Sequence, residues 1–191
     1  SEGALRFAPA GAHPGGPCTG VTVVYDPARR AAIVHGGDGL DTADGQPFAT
    51  TWRVRLDGDT TRWEVLVPAA QSPPAASGRV AGIDPRTGAV LMLGGTTREG
   101  FDRSVWSLSA GDRPVWTRLD GAADVLPRSG DALPWDPVGC GFLVVGGRCA
   151  DQVWLLRPEP AGIREALLGT MQSEPGAPGL GRVRAGAVFD P

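Results

Sequence analysis

The sequence predicts an all-β chain, a segment of a β-propeller with about three four-stranded blades and partial blades at both termini. Three observations predict it. Asp-Pro pairs begin at Asp26, Asp84, Asp136 and Asp190, at intervals of 58, 52 and 54 residues. Gly-Gly pairs begin at Gly36, Gly94 and Gly146, at intervals of 58 and 52, so two independent markers keep one phase. Between each Asp-Pro and the following glycine pair lies a short apolar run bounded by turn residues, the pattern of a buried strand. Repeats of about 50 residues with four strand-like segments each are the signature of propeller blades.

The elements follow in order. Residues 1–19 form an N-terminal segment in which Ala4-Leu5-Arg6-Phe7 suits the last strand of a preceding blade. The first blade spans 20–76, with strands at 20–25, 31–34, 51–56 around Trp52 and 62–67 around Trp63. The second spans 77–126, with strands at 77–83, 89–93, 103–108 and 115–119. In 103–108 strand alternation sends Val105 and Ser107 to one face and Trp106 and Leu108 to the other. The third spans 127–181, with strands at 129–135, 141–145 and 152–156 around Trp154. Its last segment, 163–168, lacks a tryptophan and admits a short helix as well as a strand. Residues 182–191 read as the first strand of a further blade, ending in Asp190-Pro191.

Each marker has a physical reason. Asp-Pro opens a tight turn, and in the second repeat Gly88 closes it. Gly-Gly at the end of the second strand permits positive φ and close backbone approach where inner strands crowd. The tryptophans of the outer strands fill the widening wedge between neighbouring sheets. Asp-Pro corners with glycine pairs, Pro127-Arg128-Ser129-Gly130 before a first strand, and a tryptophan in each third strand together resemble the kelch family. The resemblance covers the chain from Gly20 onward. It implies a propeller, and some propellers of this kind are copper oxidases with Tyr, Cys and His ligands. With one Tyr and two His, this chain does not match that ligand set. The tyrosine that commonly separates glycine pair from tryptophan is also missing. The distance from second glycine to tryptophan shrinks from 15 to 11 to 7 residues across the repeats.

Composition narrows the function classes. Gly (29) and Pro (18) are abundant, yet six Trp and 41% apolar residues argue for a packed core over disorder. The net charge is −3 and every basic side chain is arginine, a bias of GC-rich, bacterial coding. The arginines are scattered, so no basic stripe for nucleic acid exists. The Trp52-Arg53-Val54-Arg55 alternation reads as an exposed face beside a buried one. No apolar run is long enough to span a bilayer as a helix. The chain starts at Ser1 rather than Met, which leaves room for a removed upstream segment.

Three cysteines allow at most one intrachain disulfide. Cys140 and Cys149 lie at opposite ends of an extended strand, beyond disulfide reach, whereas Cys18 and Cys149 would share a rim and are the candidate pair. Three buried or free thiols are the alternative. No CxxC or Cys/His cluster suggests structural zinc. His13 and His35 are 22 positions apart, and His35 reads as a packed histidine at a strand end. Asp38, Asp41 and Asp44 sit in the first long loop at i, i+3 and i+6. They suit a solvated acidic loop, with calcium as the alternative, because the spacing departs from alternating carboxylate ligands.

The expectation for function follows from architecture. Sheets are committed to packing, so recognition falls to rim loops, with Asp38, Asp41, Asp44, Arg98, Glu99 and Asp102 as candidate binding residues. The leading reading is a non-catalytic binding or assembly module for a protein partner, with no cofactor. The alternatives are a carbohydrate-active or metal-dependent hydrolase at the propeller axis, and a structural subunit of a ring completed by other chains.

Overall fold

The computed structural model describes residues 14 and 16 and residues 18–39, 47–57, 60–66, 71–121, 133–145, 152–160 and 162–170. Among them every regular element is a strand, and three four-stranded antiparallel sheets follow one another along the chain. Blade I is preceded by β1 (Cys18–Thr19). It contains β2 (Thr22–Asp26), β3 (Ala31–His35), β5 (Thr51–Asp57) and β6 (Thr60–Val65) in that spatial order. The short β4 (Asp38–Gly39), between β3 and β5, pairs back with β1.

Blade II contains β7 (Val80–Ile83), β8 (Val90–Leu93), β11 (Val105–Leu108) and β12 (Trp116–Leu119). From it projects a hairpin of β9 (Thr96–Thr97) and β10 (Gly100–Phe101). Blade III contains β13 (Trp135–Asp136), β14 (Gly141–Val145), β15 (Gln152–Glu159) and β16 (Gly162–Thr170).

The strand at β16 settles the ambiguous segment 163–168, and the helical alternative is wrong. β16 pairs with β15 from Gln152↔Thr170 to Glu159↔Gly162, with one bulge at Val153/Trp154. A sheet ladder this long satisfies the backbone without the tryptophan that marks the other outer strands. Strand ends also differ from expectation. β7 starts at Val80 rather than residue 77, because Ser77 leaves the blade to bridge Thr96 in the hairpin. In the third repeat the first strand starts only at Trp135, with Leu133 and Pro134 described outside it, and residues 129–132 lie outside the described residues, as do 1–13 and 182–191.

The repeat is visible in backbone chemistry. The first-to-second-strand turns all use their Asp carboxylate to accept a nearby backbone N–H: Asp26 from Arg29 (3.2 Å), Asp84 from Arg86 (2.9 Å) and Asp136 from Val138 (2.9 Å). Four residues after each Asp the chain enters the left-handed region, at Arg30 (φ 47°), Gly88 (φ 71°) and Cys140 (φ 51°). Glycine marks that position in one repeat only, so the turn was legible from Asp-Pro and not from its closing residue. The glycine pairs are where the chains crowd. A Cβ on Gly36 would strike the Ala76 carbonyl oxygen, and one on Gly95 the Arg79 side chain.

Blades II and III turn their tryptophans toward the blade before them. Trp106 and Trp116 of blade II join Val90, Met92 and Leu108 against Ile33 of blade I. Trp135 and Trp154 of blade III pack with Phe142, Val144 and Leu156 against Val80, Leu91, Leu93 and Val105 of blade II. Burying one such large side chain contributes about 1.5–3 kcal/mol. The cores therefore sit between the sheets. Blade I carries Trp52 and Trp63 on its corresponding face, packed with Val34, Val54, Val21 and Leu56.

One expectation is overturned here. The arginines that alternate with Trp52 do not form an exposed face, since Arg53 is only 5% exposed. Both faces of β5 are buried: Trp52 and Val54 lie in the blade I core, and Arg53 faces blade II. Arg53 points into the blade I–II contact, where it donates to the Gly111 carbonyl and lies 3.9 Å from Glu64 and from Asp112.

Candidate functional site

A cleft of about 610 Å³ opens where the long loop of blade I, the crossing between blades and the β9–β10 hairpin meet. Its walls are Pro47, Pro74, Ala75, Thr97, Arg98, Glu99, Phe101 and Asp102. The hairpin forms because Thr97 organises a two-residue turn: its hydroxyl donates to Gly100 O (2.9 Å) and receives Glu99 N–H (3.2 Å). Gly100 takes φ 120°, which an ordinary side chain would strain. The turn holds Arg98 and Glu99 at its tip and leaves Phe101 66% exposed beside them.

Behind the cleft lies a buried polar network. Arg79 has a wholly buried side chain that donates to Gly94 O (2.7 Å), Pro74 O (2.9 Å) and Asp102 Oδ2 (2.6 Å). Asp102 also accepts from the Ser104 backbone (2.9 Å) and hydroxyl (2.7 Å), and Ser104 Oγ accepts the Trp106 indole N–H (2.7 Å). Burial pushes the Asp102 carboxyl up, but the Ser104 and Arg79 hydrogen bonds outweigh it and hold the group below its ordinary value. Burial lowers the Arg79 guanidinium, against the opposing pull of Asp102. One arginine therefore fixes both the crossing residue Pro74 and the foot of the hairpin, two walls of the cleft.

The network continues toward blade I. His35 is fully buried; its Nδ1 lies 2.9 Å from Thr51 Oγ1, and that hydroxyl also accepts the Trp116 indole N–H at 3.2 Å. The His35 and Trp116 rings meet edge to face at 5.7 Å. Burial, then the nearby Arg79 charge, lowers the His35 pKa to about 3, so the ring is neutral at physiological pH.

The predicted site residues separate into three groups. Arg98, Glu99 and Asp102 meet in the cleft. Asp102 is already committed to Arg79 and Ser104, so it supports the site more than it presents it. Asp38 is half-buried in β4, with its backbone against Thr19 and Pro47. Asp41 and Asp44 lie outside the described residues, as do His13 and Cys149. No cluster of metal-ligating side chains occurs among the described residues. Cys18 is half-buried in β1 and Cys140 is exposed, both as free thiols; Cys149, the other half of the expected pair, lies outside the described residues. No described helix is long and apolar enough to cross a membrane.

Sequence reasoning missed Arg79, Thr51, Phe101 and Ser104. A signal was available for Ser104 alone: a polar residue two places before a third-strand tryptophan accepts its indole N–H, as Ser104 does for Trp106 and Gln152 for Trp154 (3.1 Å).

No family model and no curated protein sequence matches this chain. Among solved structures it is similar to that of YjhT, a β-propeller-type protein, at 16% identity and a TM-score of 0.58. The similarity covers 83% of this chain and 48% of that one, so the chain spans about half the length of the structure it matches. At that identity the likeness is one of fold: three consecutive blades of a propeller.

Proposed function

We propose that this chain is a kelch-like binding module that takes a protein partner at the rim cleft between blades I and II, without catalysis by its own residues. The observation that carries the reading is Phe101, an aromatic ring exposed on a rigid hairpin beside Arg98 and Glu99. Aromatic and arginine side chains at the centre of a preformed concavity are the usual energetic anchors of protein interfaces. Asp102 is ionised and saturated by Arg79 and Ser104, which suits it to holding the loop rather than to moving protons.

Affinity capture with quantitative mass spectrometry tests this by comparing wild-type protein with Phe101→Ala. Truncating such an anchor lowers affinity by about tenfold or more. Recovery of the cleft's partner is expected to fall accordingly while the thermal transition stays put. A partner recovered equally by both proteins would overturn the reading.

A further inference from the structure

The rim hairpin has one edge that the chain itself uses and one that it leaves open. On the inner side Ser77 and Thr96 exchange both backbone hydrogen bonds, Ser77 N–H to Thr96 O at 3.0 Å and Thr96 N–H to Ser77 O at 2.8 Å. Thr96 therefore turns its N–H and C=O away from Phe101, its partner across the hairpin. The next pair along is bonded again, with Asp102 N–H donating to Gly95 O at 3.0 Å. Antiparallel pairs alternate between bonded and non-bonded, so Phe101 stands at a non-bonded pair and aims its N–H and C=O outward from β10. No described strand pairs with that outer edge.

Outward N–H and C=O groups on one residue are what an added antiparallel strand takes up. There is room for one: the Phe101 ring is exposed, and a Cβ built on Gly100 would meet nothing within 4 Å. The edge is also held ready, because Thr97 organises the turn before it while Arg79 and Ser104 fix Asp102 just after it. Little ordering is left to be done when a strand arrives. The charges say what that strand carries. Glu99 and Arg103, both exposed, lie two places to either side of Phe101. An antiparallel strand with an apolar residue opposite Phe101 brings the residue two places before it toward Arg103 and the residue two places after it toward Glu99. An acidic residue in the first place and a basic one in the second complement them.

We propose that the protein partner enters as an extended segment of the pattern acid-x-apolar-x-base, added antiparallel to β10 with its apolar side chain against Phe101 at the border of the cleft. The inference rests on the cleft reading above and supplies the form of the partner. Main-chain bonds to Phe101 give affinity independent of side-chain identity, and the flanking charges set register and direction.

Selection of a random peptide library displayed on phage against the whole chain, followed by fluorescence anisotropy with the synthetic peptides, tests it. Selected peptides are expected to share the pattern and to bind the Phe101→Ala protein about tenfold more weakly, at an unchanged thermal transition. N-methylation of the apolar residue's amide is expected to cost about tenfold, and of either neighbouring amide little, because only the first faces β10. Peptides that bind the Phe101→Ala protein equally well would overturn both the cleft reading and this one. Peptides that need Phe101 yet tolerate N-methylation at every position would leave the cleft reading standing and overturn strand addition. A selection that yields no binding peptide would overturn strand addition as well.

Discussion

Arg79→Met is expected to destabilise the protein by about 3 kcal/mol, read as a shift of the urea midpoint at unchanged slope. The methionine replaces the volume but none of the hydrogen bonds to Gly94, Pro74 and Asp102. Asp102 then retains its charge at a half-buried site with only Ser104 to balance it, and that stranded charge is the larger part of the cost. Adding Asp102→Asn to the Arg79→Met protein is therefore expected to restore part of the loss. A single substitution costing under about 0.5 kcal/mol, the range of an ordinary surface change, would show that the network does not hold the hairpin to the blade.

Acid is expected to weaken the fold through His35. Its pKa falls from 6.5 in the unfolded chain to about 3 in the folded one. Between those values the unfolded state binds a proton that the folded state does not, so stability rises with pH through this window. The contribution is fully present above about pH 6.5 and is lost progressively as pH falls toward 3. Over the whole window the loss is roughly 5 kcal/mol, at about 1.4 kcal/mol for each pH unit between the two values. Urea unfolding between pH 7 and 4.5 isolates this effect, because Asp84 and Asp102, both held below their ordinary values, release their own contributions only at lower pH. In His35→Asn the slope is expected to flatten over that interval. An equal slope in both proteins would show that His35 is not held neutral.

The framework was legible because its causes are local. Asp-Pro, an apolar run and a glycine pair each set backbone geometry within a few residues, and their common phase places the sheets. Two-fold alternation gave the face of Trp106 correctly, and β11 pairs as that alternation requires. What failed was non-local. Arg53 looks like a surface residue until a second sheet is placed over it. Segment 163–168 has strand character only through its pairing with β15. The rim hairpin was found through Arg98, Glu99 and Asp102, but its exposed Phe101 was not, since nothing local distinguishes a buried aromatic from one raised on a turn. Arg79 was invisible for a similar reason. Its partners at Gly94 and Asp102 lie 15 and 23 residues away, in separate elements of the blade.

Successive sheets dock face to face through their indoles, and among the hydrogen bonds that cross the seam between blades I and II is the one from Trp116 Nε1 to Thr51 Oγ1, 65 residues away. A double-mutant cycle of Thr51→Val and Trp116→Phe, followed by urea unfolding, measures it directly. The two changes are expected to couple by about 1 kcal/mol. Strictly additive losses would mean that the two blades do not meet there.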